Sequence, residues 1–204
     1  MFVNEHGDVI DHTNLEVTEQ KQCAEYIRPH HRVLELGARY GTVSYVINRL
    51  IDDKTQHVAV EPDPVVLGAL KQNRDAHGCQ FHIVDGVITP CNMYLSTFYH
   101  LNQECAYGNF SQPVGRPAYA NVKNFTLDEI KQKYNIEFNC LVADCEGFLE
   151  QFLKENPDFV NGIDTAIVEY DGPERCNYDY VKKVFVDSGL RCVVEGVHAV
   201  WTRT

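Results

Sequence analysis

Val33-Leu34-Glu35-Leu36-Gly37-Ala38-Arg39-Tyr40-Gly41 is the stretch on which the reading of this chain turns. It reads as a strand running into a glycine turn. An apolar run that carries one carboxylate, Glu35, and then glycines at Gly37 and Gly41, lets backbone come close to a bound nucleotide-like ligand. The spacing narrows the choice of ligand. A dinucleotide fingerprint needs glycines at the first, third and sixth places of its turn, and counting from Gly37 the later places hold Arg39 and Thr42, so a nicotinamide dinucleotide loses its main support.

The neighbours extend the pattern. After Gly41 comes TVSYVINRL, with Thr42 placed to cap a helix and Val43, Val46, Ile47 and Leu50 recurring at helical spacing. A second strand, HVAVE, ends in Glu61, roughly 20 residues past the turn, where Rossmann-like folds set a carboxylate to accept hydrogen bonds from a ribose. A helix before the motif is expected from near Thr18 to just short of Pro29. Beyond Glu61, Asp63 and Pro64 read as the cap and first turn of a helix running to about Asn73.

Composition bounds what such a chain does. At 204 residues, 44% hydrophobic and 23% charged, it has the make-up of one ordinary globular domain. A formal net charge of -11, with no dense Lys/Arg patch interleaved with aromatics, speaks against nucleic acid as a partner. The eight cysteines include no Cys-x-x-Cys pair, and several fall inside expected strands or helices, a pattern suited to a reducing, cytoplasmic setting. The N-terminus lacks the basic start and apolar run of a leader, and no segment approaches bilayer-spanning length.

Further along, QFHIVD reads as a third strand that ends in Asp85-Gly86. From Gly86 to about Asn124 the alternation of strand and helix breaks in favour of an aromatic and amide-rich insertion, with Tyr94, Tyr99, His100, Asn102, Gln103 and Tyr107 among its members. That is too long for a plain connection, and aromatic faces beside amides suit a sugar. Regularity returns at TLDEIKQKY, where Thr126 and Glu129 form a capping box. Strands FNCLVAD and TAIVEYDG follow, then the helix NYDYVKKVFVDSG. Two last strands, LRCVVEG and VHAVWTR, are joined tightly enough that they must pair antiparallel.

Four blocks, VLELGARYG, HVAVEPD, TLDEI and VADCEG with IVEY, together resemble the FkbM-like branch of class I S-adenosylmethionine (SAM) dependent O-methyltransferases from about Val33 onward. The resemblance implies an α/β, Rossmann-like sheet of seven strands, mostly parallel with the last reversed, helices on both faces, and SAM as cofactor. It implies a donor site made by Glu35, Gly37, Ala38, Arg39, Tyr40 and Gly41, by Glu61, Pro62 and Asp63, and by Asp85, Gly86 and Asp144. Glu35 and the glycine loop would hold the amino-acid end of the donor and Glu61 its ribose. The chain departs from the branch at Val142, where a lysine is common, and at Phe148 and Leu149, where a small residue and a glutamate are.

Methyl transfer to a hydroxyl needs a base, and Asp144, Glu146, Glu169 and Asp171 lie at the ends of what should be neighbouring strands, where open α/β sheets bind ligands. Crowded carboxylates raise one another's pKa and suit one of them to general-base work. Asp144 is the expected base, with Glu146 and Glu169 orienting acceptor or donor and His100 a second basic group. The same carboxylates have the donor chemistry for Mg²⁺ or Mn²⁺, and whether an ion binds stays open at this point. The expected acceptor is a sugar, glycan or similar polyhydroxylated small molecule. The alternative is a module that keeps the fold without turnover, as a scaffold or partner-binding domain.

Overall fold

The computed structural model describes residues 1–97, 109–113, 120–170 and 176–203. His100, Asp171 and the insertion residues Tyr99, Asn102, Gln103 and Tyr107 lie outside them. In chain order the elements are β1 (Phe2–Val3), β2 (Val9–Ile10), α1 (Val17–Tyr26), β3 (Val33–Leu36), α2 (Thr42–Leu50), β4 (His57–Glu61), α3 (Leu67–Ala76) and β5 (His82–Asp85). Then come β6 (Val87–Ile88), β7 (Met93–Thr97), β8 (Asn109–Pro113), β9 (Ala120–Asn121), β10 (Asn124–Phe125) and α4 (Leu127–Tyr134). The chain finishes with β11 (Cys140–Ala143), α5 (Leu149–Glu155), β12 (Thr165–Glu169), α6 (Tyr178–Asp187), β13 (Leu190–Val194) and β14 (His198–Arg203).

Seven strands form one sheet in the order β13-β14-β12-β11-β3-β4-β5. All neighbours from β12 to β5 are parallel, as crossovers through helices require, while β14 is antiparallel to both β12 and β13. The tight final hairpin therefore inserts its last strand between β12 and β13, which is the reversed strand expected from the sequence. Helices cover both faces. Leu34, Leu36 and Leu141 pack with Ile130 of α4, Phe152 of α5 and Phe185 of α6, whereas Val33, Val142 and Ile167 pack with Cys23 of α1 and Ile47 of α2.

Local chemistry explains most boundaries and corrects some. The capping box of α4 forms as expected: Glu129 N donates to Thr126 Oγ1, and Thr126 N donates to Glu129 Oε2 at 2.7 Å. Thr42 does not cap α2, because Gly41 in the left-handed region takes the N-cap and the threonine hydroxyl turns outward to Glu16. Asp63 caps only a turn, accepting from Val65 N at 2.9 Å, and α3 starts later than expected and runs on to Ala76.

The insertion has order of its own. Its described strands β7, β8 and β9 make a small antiparallel sheet in the order β8-β7-β9. The chain leaves through β6 and returns through β10, and these pair in parallel, Val87 with Asn124 and Ile88 with Phe125. Departure and return are thus hydrogen-bonded side by side.

Candidate functional site

The carboxyl ends of β3, β4 and β11 open into a cleft at the edge of the sheet where a parallel α/β fold gathers ligands. The glycine turn makes this opening possible. Gly37 has φ +89, and a Cβ built on it would stand 1.7 Å from the carbonyl oxygen of Asp144, so only a bare Cα lets the turn after β3 lie against the end of β11. Gly37 N and Ala38 N both donate to Val60 O, fastening the turn to β4 on its other side.

Glu61 stands at the tip of β4, only 6% exposed, on the wall of the cleft. Its Oε2 accepts from Arg39 N and its Oε1 from Asp63 N, both at 2.7 Å. The two amides fix the plane of the carboxylate while leaving lone pairs for a further donor. Burial pushes its carboxyl up to about 7, against the pull of the Asp63 and Arg39 amides.

Across the cleft, β11 leads into Asp144, Cys145 and Glu146, all on its lining. Glu146 is left-handed at φ +55 and is followed by Gly147 at φ +88. Among the described residues the positive-φ positions other than glycine are Glu16, Arg39, Asn135 and Glu146; Asn135 merely ends α4, and the other three line the cleft. Backbone held in this costly region gathers at sites where geometry serves binding or chemistry.

Several expected donor residues sit elsewhere. Glu35 is not on the cleft. Alternation along β3 sends Leu34 and Leu36 to the α4–α6 side and Glu35 to the α2 side, where it is 1% exposed and its Oε2 accepts from Ser44 Oγ at 2.6 Å and His57 Nε2 at 2.9 Å. Ala38 is buried against Leu67 and Leu70 of α3, and Tyr40 packs beside Val66 with its hydroxyl donating to Glu5 Oε2 at 2.5 Å. Gly41 serves as the cap of α2. Asp85 turns to Lys123, 2.5 Å away, and Gly86 is pressed against the Lys123 carbonyl; the wall expected from them is supplied by Val87 and Ile88. Gly37, Arg39, Glu61, Pro62, Asp63, Asp144 and Glu146 do share the cleft.

Glu16 is the acid the sequence reading missed. It lines the cleft from the start of α1 and accepts the Thr42 hydroxyl. Burial raises its carboxyl pKa, with Thr42 opposing, Glu35 adding and Arg39 opposing. No motif marks it, since nothing in the local sequence says that a helix N-terminus will be folded over a glycine turn. Phe148, a departure from the resembled pattern, also lines the cleft. Glu169 does not; it faces His198, with Nε2 of the histidine 3.8 Å from its Oε1.

No protein-family model matches the chain, and no curated protein matches it in sequence. The match to solved structures is one of fold. A protein of the NADB-Rossmann superfamily from Streptococcus agalactiae superposes with a TM-score of 0.57 at 11% identity, over 91% of this chain and 68% of that one. Precorrin-6y C5,15-methyltransferase from Geobacter metallireducens gives 0.53 at 11% identity, over 91% of this chain and 88% of that one. Sp1610 of Streptococcus pneumoniae, proposed to be a tRNA (m1A22) methyltransferase and solved with SAM, gives 0.53 at 12% identity, over 91% and 72%. The chain has the Rossmann-like methyltransferase fold, with its mostly parallel seven-stranded sheet. Among the described residues no helix is long and apolar enough to cross a membrane.

Proposed function

We propose that this chain is a SAM-dependent O-methyltransferase of the FkbM-like kind, acting in a reducing, cytoplasmic setting on a hydroxyl of a sugar, glycan or similar polyhydroxylated small molecule. One observation carries the reading: a buried carboxylate, Glu61, oriented through both oxygens by backbone amides, shares a cleft with the carboxylates Asp144 and Glu146. Fixed this way, Glu61 suits a vicinal diol such as that of a ribose. Val87 and Ile88 offer an apolar wall for a purine, and the carboxyl group of Glu16 is a partner for an ammonium group. These residues fit the donor. When bound, SAM supplies an electrophilic methyl group on a sulfonium.

The chain's own task is to place an acceptor oxygen in line with that methyl and to take its proton. Asp144 is the proposed base, at the tip of the strand adjoining the glycine turn, and Glu146 the group that orients the acceptor hydroxyl. Glu169, set back from the cleft, is a poorer candidate for direct contact. The acceptor class rests on the amide and aromatic content of the insertion, whose base adjoins the cleft through Val87 and Ile88. Although similar folds include a proposed tRNA methyltransferase, the net charge of -11 favours a small-molecule acceptor.

Calorimetry with SAM tests the donor half: Glu61→Ala should weaken binding about 10- to 100-fold, as loss of charge-assisted hydrogen bonds implies. Absence of any SAM binding by the wild type would overturn the proposal. Release of S-adenosylhomocysteine across a panel of sugars tests the acceptor half, and Asp144→Asn should abolish it in protein saturated with SAM. SAM retention without turnover on any hydroxyl substrate would instead favour a non-catalytic scaffold.

A further inference from the structure

Helix α1 buries a face that apolar packing does not explain. Glu19 and Gln22, one helical turn apart and so on the same side, are 5% and 7% exposed, beside the fully buried Cys23. This face lies over β12 and β14, whose antiparallel register sets Glu169 opposite His198. Two residues along each strand, Ile167 and Val200 pack in the cluster that holds Cys23, and strand alternation brings Glu169 and His198 to that same side. A carboxylate oxygen of Glu19, one of Glu169 and a ring nitrogen of His198 all lie within 4.8 Å of one another.

A second observation points to a ligand there. Gln22 Nε2 donates to the backbone carbonyl of His198 at 2.9 Å, which fixes the carboxamide beside the cluster and leaves its Oε1 buried with no hydrogen-bond partner. Two carboxylates drawn together under a helix repel, and a buried amide oxygen without a donor is costly. A cation relieves both at once. Three elements far apart in sequence thus converge on oxygen and imidazole donors, a set that suits Mn²⁺ or Zn²⁺ better than Mg²⁺, which favours oxygen alone.

We propose that Glu19, Glu169 and His198 bind one divalent transition-metal ion beside Gln22 and outside the SAM cleft. The ion ties α1 to the tips of β12 and β14, one helical turn from Glu16 on the cleft wall. The inference does not depend on the reaction assigned to the cleft.

The test uses the whole chain, freed of metal by dialysis against EDTA and titrated calorimetrically with ZnCl2 and with MnCl2. One equivalent should bind and raise the melting temperature. Glu169→Gln and His198→Ala, both at half-buried positions and checked for native circular dichroism, should each weaken binding at least tenfold and lose the thermal gain. Cobalt(II) should give the visible bands of an oxygen and nitrogen ligand set. Silent titrations, unchanged affinity in both variants, or a thiolate-to-cobalt charge-transfer band that hands the ion to the cysteines would each overturn the assignment.

Discussion

Glu35 and Glu61 lie on adjacent parallel strands, both almost wholly buried, and do different things. Glu35 sits inside β3, held by the side chains of Ser44 and His57 on the face covered by α2. Glu61 sits at the tip of β4, held by backbone amides from two loops and turned toward the cleft. The difference is one of position along the strand. A carboxylate within a doubly covered strand can only face a layer of helices, whereas one at the carboxyl end meets the space that the glycine turn keeps open.

Substitutions can break that contrast. The largest effect is expected at Gly37, which keeps the two strand ends apart from any side chain: with the added Cβ 1.7 Å from a backbone oxygen, Gly37→Ala should cost more than about 4 kcal/mol in urea unfolding. A near-native midpoint would mean that the turn does not pack as described. Next, Glu35→Ala strands the buried Ser44 hydroxyl and His57 Nε2 and should cost about 3 kcal/mol. Its SAM affinity, measured on the folded fraction, should stay near wild type. Weakened SAM binding at unchanged stability would return Glu35 to the donor site and erase the contrast.

Acidity sharpens the comparison. The Glu61 carboxyl is raised by burial from an ordinary 4.5 to about 7 in the folded chain, so its contribution to stability is complete below about 4.5 and is lost as pH rises through 7. Wild type without SAM should therefore lose roughly 3 kcal/mol relative to Glu61→Gln between those pH values, read from paired unfolding curves. Parallel curves for the two proteins would show that the carboxylate is already ionised when unliganded. The smallest effect is expected from Ser44→Ala, about 1 kcal/mol for one of the two donors to Glu35, with SAM binding unaltered.

How much of this was legible beforehand follows from the same geometry. The succession of strands and helices and the reversed hairpin could be read because turn residues, helix caps and apolar runs are local signals, as at Gly37, Thr126 and Glu129. The side chosen by Glu35 could not be, since Val33, Leu34 and Leu36 are apolar in both directions and the alternation carries no contrast. Asp85-Gly86 marked the right turn, but the lining begins with Val87, in the short strand β6 that pairs with the distant β10. Glu16 and the Glu19, Glu169 and His198 group depend on how α1 docks against strands from the far end of the chain, which no local pattern encodes. Asp63 was legible as a cap, yet Pro64 opened a turn rather than the helix.

The side-by-side pairing of β6 and β10 makes the insertion a graft on a closed stem. Because β6 and β10 run parallel, the chain must cross over between them, yet neither strand belongs to the seven-stranded sheet, so the crossover can change in length without stretching that sheet. The segment between β6 and β10 can then be rewritten at little risk to the sheet beneath it, and exchanging that one segment is a direct test of the acceptor role proposed for it.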